Sequence, residues 1–274
     1  MRSLADQVLV VVPLCRSRWS ELALEEALAA LVGSCILFFD NGEVEAPAFA
    51  LPWRLIQDGT NPGVGPRYAQ AARVAKECGL PYLLLLDQDF APPSEWWQAF
   101  ETSVQTHPRS QAWAPRLVCD DIPLSPFRLH RGRPAGASPS GEILLAGEHV
   151  VLNSGLLIRT DALLPAADAL ALCPLDFSDF ALSWELGKQG GCIAPIALTL
   201  EHFSSTHART SRASRLARFA WFAHGARGWR QVSSAPWWRL AGWVGGRAVK
   251  LAWQNRDVHF LQIAWTHFVL GRRP

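Results

Sequence analysis

The chain has 274 residues, 49% apolar and 18% charged, enough for one large domain or two small ones and incompatible with disorder or fibrous repeats. Its 26 Lys and Arg against 24 Asp and Glu give +2, which taken whole speaks against a dedicated polyanion binder. The six cysteines form no C-x-x-C pair and have no His at zinc spacing, so they read as reduced core thiols of a cytoplasmic protein.

Short β-branched or Leu-rich runs alternate with helical patterns, the signature of an α/β sheet with strands buried on both faces. Val8 to Val12 reads as the first strand, because the apolar run ends at Cys15-Arg16 and lacks the small-residue cleavage site of a signal peptide. A helix is expected over Ser20 to Val32, stopped by Gly33. Strands follow at Ile36 to Phe39 and Trp53 to Ile56, a helix at Pro66 to Cys78, and a strand at Tyr82 to Leu86 that ends in Asp87-Gln88-Asp89. Pro92-Pro93-Ser94-Glu95 opens another helix with proline, cap and acid in the expected order. Residues 120–141, rich in Pro, Ser, Gly and Arg and without a clear period, read as a long loop of the kind that binds or covers a ligand. Strands are expected again at Ile143 to Leu145, Val150 to Ile158 and Cys192 to Glu201, with a helix over Phe180 to Gln189.

In an open α/β sheet, ligands lie beyond the carboxyl ends of the parallel strands. Those ends here carry Pro13, Asp40-Asn41, Asp58 and the Asp87-Gln88-Asp89 triplet. Two carboxylates one residue apart at a strand end supply hard oxygen ligands for Mg²⁺ or Mn²⁺, although acidic pairs in solvated turns are also common. No phosphate-binding G-x-x-x-x-G-K-[ST] occurs, and strand one runs into Pro13-Leu14-Cys15-Arg16 in place of a dinucleotide glycine fingerprint. Asp176, Ser178 and Asp179 precede a helix, where they can serve simply as caps. His202 alone reads more readily as a hydrogen-bonded core histidine, and Asp40-Asn41-Gly42 could be only a turn.

Taken in order, Val10-Val11-Val12-Pro13, Phe38-Phe39-Asp40-Asn41-Gly42, Asn61-Pro62-Gly63-Val64-Gly65 and Leu84-Leu85-Leu86-Asp87-Gln88-Asp89 with Pro92-Pro93 behind resemble the motifs of family 2 glycosyltransferases. The Asp-Gln-Asp form is most similar to the rhamnosyltransferase-like branch. Asn153-Ser154-Gly155-Leu156-Leu157-Ile158-Arg159 resembles that branch's Ser-Gly segment, and Leu175-Asp176-Phe177-Ser178-Asp179 its acidic segment. The match covers roughly residues 7–207 and rests on the order of the motifs, each weak alone. It implies a GT-A fold, a single α/β layer with a mixed, mainly parallel sheet that binds a nucleotide-diphosphate sugar. It also implies an inverting transfer of that sugar, rhamnose being one candidate, to a hydroxyl of a lipid-linked or cell-surface glycan precursor. On this resemblance Pro13, Asp40, Asn61 and Asp87 line the nucleotide-sugar pocket, Asp89 and His202 hold a divalent metal (Mg²⁺ or Mn²⁺), and Asp179 is the general base. Departures are Ala69-Gln70-Ala71 in place of a usual Asn, Phe90 for a Ser, Ala181 for an acid and Glu185 for an Arg. They leave open a non-catalytic, glycan- or membrane-binding relative.

Composition changes sharply near residue 207. Residues 207–274 hold twelve Lys and Arg, a single acid (Asp257) and seven of the thirteen Trp, for a net +11; residues 1–206 hold fourteen against twenty-three, for −9. The chain therefore divides into an acidic α/β part over 1–206 and a basic, Trp-rich helical extension over 207–274. Arg209, Arg212, Arg215 and Arg218 recur every three residues beside Leu216, Phe219 and Ala223, as on an amphipathic helix. Trp237, Leu240, Val244, Ala248 and Leu251 make a second apolar stripe, and Leu261, Trp265 and Phe268 a third. Such helices suit the anionic inner face of the cytoplasmic membrane, to which the protein would be peripheral. They could equally pack against the acidic part. Interleaved Arg and aromatics could also bind single-stranded nucleic acid, a partner not expected beside the other two. The longest apolar run, Val258 to Leu270, falls short of the ~20 residues that span a bilayer.

Overall fold

The first strand of the sequence reading occupies the middle of a mixed sheet and is buried along its whole length, as strands covered on both faces must be. The structure, a computed structural model, describes residues 3–15, 24–31, 33–42, 52–202, 211–233 and 235–274. In chain order the strands and helices of the first part are β1 (Val8–Leu14), α1 (Leu24–Ala29), β2 (Cys35–Asp40), β3 (Trp53–Ile56), α2 (Val64–Glu77), β4 (Tyr82–Leu85), α3 (Trp96–Thr106) and β5 (Ala112–Cys119). The middle part supplies β6 (Ile122–Ser125), β7 (Phe127–His130), β8 (Arg133–Ala137), β9 (Leu144–Leu145), β10 (His149–Val150) and β11 (Leu156–Arg159). It is followed by α4 (Thr160–Leu163), α5 (Ala167–Leu172), α6 (Ser178–Lys188) and β12 (Cys192–Glu201). The last part is helical: α7 (Arg212–Ser233), α8 (Trp237–Asn255) and α9 (His259–Ile263), which runs into a π-helical turn over Ala264–Val269. Of the helix expected over Ser20 to Val32, only α1 falls on described residues; 16–23 and Val32 lie outside them, as does Arg209.

Among the described residues the sheet runs β3-β2-β1-β4-β11-β5-β12-β9, with β6 hydrogen-bonded to β5. Strands β3, β2, β1 and β4 are mutually parallel, as are β5 and β12, while β11 is inserted antiparallel between β4 and β5. Alternation of side chains divides each central strand between two cores. Leu9, Val11, Leu83 and Leu85 face α2 and α4; Val8, Val10, Val12, Leu84 and Leu86 face α1 and α3. The second core is capped by Trp96, which meets Phe90, Trp97 and Phe100 within 5.3–5.6 Å, edge to face in each case.

Three sequence expectations need correction. The cysteines are free thiols but not all core ones: Cys173 is buried, whereas Cys15, Cys35 and Cys78 are exposed. Residues 120–141 are not a structureless loop. They hold β6, paired antiparallel with β5, and a hairpin of β7 and β8 to which β10 adds a third strand. The reversals are two-residue turns, Asp120-Asp121 and Arg131-Gly132, with all four residues at positive φ, the backbone of type I′ turns that match strand twist. The strands between them are four or five residues long and mostly exposed, too short and too polar to register as a period. The strand expected over Val150 to Ile158 is likewise broken: β10 ends at Val150 and β11 begins at Leu156, because Gly155 at φ 74 and the Leu156 to Asn153 backbone bond turn the chain between them.

The C-terminal helices form a third core with the α/β part. Phe177, Phe180 and Ala181 are buried together with Phe219, Phe222, Ala223, Trp229, Val244 and Phe260. Close approach of α7 depends on glycine: a methyl group on Gly228 would collide with the carbonyl of Leu172, and one on Gly225 with that of Asp176. The Trp229 indole N–H donates to the Gly132 carbonyl at 3.0 Å and so ties α7 to the turn of the β7–β8 hairpin.

Candidate functional site

Strands β4 and β12 end on the same edge of the sheet, and the residues just beyond them, Asp87 and His202, share one cleft of about 460 Å³ with the first turn of α6. Its far wall comes from the C-terminal helices, through Arg218 and Phe222 of α7 and Trp243 and Arg247 of α8. The structure thus gathers three of the sequence-derived site residues, Asp87, Asp179 and His202. The remaining four, Pro13, Asp40, Asn61 and Asp89, are not in its walls.

Burial raises the pKa of Asp87, and the neighbouring Asp89 carboxylate raises it further, opposed by His202 and by a hydrogen bond from the Ser154 hydroxyl. Asp89 itself is exposed. Gln88, between them, is turned the other way: its side-chain carbonyl accepts the Cys15 backbone N–H at 2.8 Å, which fastens the triplet to the end of β1. His202 is carried by the continuation of β12, whose backbone N–H donates to Val118 at 2.8 Å.

Asp179 lies in the first turn of α6, where the nearby backbone N–H groups of Asp179 and Phe180 favour the charged form of its carboxylate. Desolvation nonetheless dominates and, with Asp176 and Asp87 nearby, pushes its pKa up to about 7. The residue before the helix, Phe177, takes a left-handed φ of 68°, unusual for a bulky side chain, and its ring is held between Phe180, Phe222 and Trp243 at 5.1–5.4 Å. Neither Asp176 nor Ser178 caps the helix as a local reading allows. Ser178 donates to the Leu175 carbonyl and accepts from the Asn153 amide, while Asp176 accepts from Arg218. Burial raises the Asp176 pKa against the opposing pull of Arg218 and Arg247.

Sequence reasoning missed much of the cleft. Tyr68 of α2 is fully buried, lines the cleft, and its hydroxyl has no hydrogen-bond partner among the described residues; the side-chain oxygen of Asn153 is in the same state. Burial, together with Asp87 and Asp179, pushes the Tyr68 pKa well up. Both residues line the cleft, whereas the other four residues with a buried, unpartnered side-chain atom among the described residues lie elsewhere. Arg247 lies over the Phe222 ring at 4.1 Å. The tail's basic residues were visible in the sequence, but nothing local indicated that two of them face the acidic segment around Asp179.

At the other end of the sheet edge, the side chain of Arg67 is 2% exposed. It donates to both Asp58 oxygens at 2.6 and 2.9 Å, to Asn41 at 3.0 Å, and to the Asp40 and Thr60 carbonyls at 3.2 and 3.0 Å. That web fixes the loop ends after β2 and β3. Asp40 accepts from the Gly42 backbone and from Gln57, and Asn61 from the Gly63 backbone. Arg67 holds the Asp58 carboxyl far below the usual carboxylate range.

Asp87, Asp89 and His202, two carboxylates and an imidazole, interact electrostatically, and carboxylate oxygens are the ligands a hard divalent cation takes. These groups are not drawn to ligand spacing. The cluster that is so spaced among the described residues is Cys119, Asp120 and Glu201, half to fully exposed at the ends of β5 and β12. Of the departures from the family pattern, Ala181 is buried in the third core and Glu185 pairs with Lys188 at 2.7 Å; neither lines the cleft. Comparison with protein-family models and with curated proteins gives no match to this chain.

Proposed function

We propose that the chain is an inverting glycosyltransferase of GT-A type that moves a sugar from a nucleotide diphosphate to a hydroxyl of a lipid-linked or cell-surface glycan precursor. The observation that carries this reading is the convergence of Asp87, His202 and Asp179 in one cleft at the carboxyl edge of the sheet. The order of sequence motifs adds to it. Asp179, with a pKa near neutrality, is suited to take the proton of the acceptor hydroxyl as its oxygen attacks the anomeric carbon. The bond from that carbon to the diphosphate breaks on the opposite face and its electron pair leaves with the nucleotide. Asp87, Asp89 and His202 would hold a divalent cation, which when bound neutralises charge on the departing diphosphate. Tyr68 and Asn153 offer unsatisfied polar atoms with which to orient substrate once the wall adjusts around it. Arg67, Asp58 and Asn41 keep the adjoining strand ends in place.

A thermal-shift screen of UDP, GDP, dTDP and CMP with and without Mn²⁺ tests the reading, because a ligand that binds the native state raises apparent stability. One of these nucleotides is expected to stabilise the protein in a Mn²⁺-dependent manner that Asp89→Ala abolishes. Absence of any such shift, or a shift unchanged in Asp89→Ala, would sink it.

A further inference from the structure

We infer that the outer faces of α8 and of the C-terminal helix are a docking surface for an anionic lipid bilayer. Of the apolar stripe read in the sequence, Leu240, Val244 and Ala248 face inward and are at most 1% exposed, and Leu251 packs against the same core, whereas Trp237, its first member, is 61% exposed. A second apolar face remains on the opposite side. Trp238, Gly242, Val249 and Trp253, spaced i, i+4, i+11 and i+15, share one side of α8, and Trp238, Val249 and Trp253 are 59%, 60% and 86% exposed. A surface helix of a water-soluble protein presents charge there. Along one edge of this face, Arg239, Gly246 and Lys250 follow at i, i+7 and i+11, with Arg239 lying over the Trp238 ring at 5.0 Å.

The next helix repeats the arrangement. Phe260 and Phe268 are buried, whereas Val258, Leu261, Trp265 and Val269 are all at least 45% exposed. The helices pack on one another, so the two faces belong to one structural unit. Of the fourteen large apolar side chains that stand exposed among the described residues, nine lie between Trp237 and Leu270. So concentrated a patch marks an interaction site.

Charge selects the occupant. Residues 207–274 carry +11, and their one acid, Asp257, is already occupied by Arg212 at 2.7 Å and His259 at 2.7 Å. A second copy of the same face would set Arg239 and Lys250 against like charges, while an anionic headgroup layer attracts them, each nearby cation adding about 1 kcal/mol. Trp is the side chain suited to this depth, with an apolar ring and an N–H for the headgroup region. No described helix is long and apolar enough to cross a membrane, so the contact is interfacial.

The test is co-flotation of the full chain with phosphatidylcholine vesicles containing 30% phosphatidylglycerol and with phosphatidylcholine alone, in 0.1 M and 0.5 M NaCl. Partitioning is expected with the anionic vesicles only, to fall at least tenfold in 0.5 M NaCl, and to fall at least tenfold in Trp238→Ser/Trp253→Ser. Those two side chains are exposed, so the variant should melt as the wild type does, and its melting curve checks this. Equal partitioning of wild type and double variant, or none with anionic vesicles, overturns the inference. So does a concentration-dependent dimer that the double variant abolishes, which would make a second copy the occupant. Flotation reads no sugar transfer, so the outcome is independent of the proposed activity.

Discussion

Replacing Asp179 by Asn tests whether the cleft holds this carboxylate under electrostatic stress. The perturbation is nearly isosteric, and the amide oxygen can still accept the N–H groups that the first turn of α6 directs at it. A displacement of the pKa from 3.8 to about 7 corresponds to about 4 kcal/mol at ~1.4 kcal/mol per pH unit. Asp179 borders an open cleft, and water there screens the charge, so that figure is the upper limit of the cost of ionising it. The sign follows from linkage: below pH 4 the carboxyl is protonated folded and unfolded, and ionisation costs nothing. As pH rises from about 4 to 7, the unfolded chain has released this proton while the folded one retains it, and stability falls until the folded carboxyl ionises. Asp179→Asn has no such loss. Urea unfolding at pH 4.5, 6 and 8 should therefore show the variant gaining on the wild type across that range, by up to about 4 kcal/mol. Asp87 and Asp176, also raised, are present in both proteins, and loss of their repulsion with Asp179 is part of the variant's gain. Parallel stability curves across this range would refute the buried-carboxylate argument, whatever the protein's activity. If the chain transfers sugar as proposed, the same variant should lose 10²-fold or more in turnover, and the wild-type rate should climb to a plateau above pH ~7.

Other expectations follow from packing. Gly228→Ala should cost about 2–3 kcal/mol in urea unfolding, because its methyl meets the Leu172 backbone, whereas Gly242→Ala, with open space at that position, should be neutral or stabilising by up to ~1 kcal/mol. Arg67→Met should cost about 3 kcal/mol by the same measurement, since Asn41 and two backbone carbonyls lose a buried partner; Asp58→Asn should cost under ~1 kcal/mol, because the Asp58 side chain is 41% exposed. Trp229→Phe keeps most of the ring but drops the N–H bond to Gly132, and should lower stability by about 1 kcal/mol, with faster amide exchange in the β7–β8 turn.

What the sequence revealed and what it hid separate along physical lines. Strands β1, β2 and β4 were legible because burial on both faces demands uninterrupted apolar residues, and their carboxyl ends could be read for candidate ligands. The hairpin after β5 was hidden because strands of four or five exposed residues carry no period, and its turns were set by Asp120-Asp121 and Arg131-Gly132 in place of the more familiar Asn-Gly. Within the site, Asp87, Asp179 and His202 could be placed in one neighbourhood from motif order, but Tyr68 could not. Nothing in its helical context distinguishes a tyrosine that packs from one whose hydroxyl is left unsatisfied beside two carboxylates. The tail shows the limit of periodicity most directly. Its charge and its apolar stripes were plain, and the docking face was inferred from them, yet the stripe with the best helical spacing on α8 closes the third core against Phe177 and Phe180. Where a helix is apolar on two sides, hydrophobic spacing alone cannot say which side the protein buries. That assignment depends on the partner surface, and Gly225 and Gly228 of α7 provide it here by letting the helix reach the backbone at Asp176 and Leu172. The Trp face left outward, with Arg239 and Lys250 along its edge, is therefore a consequence of how the core closes.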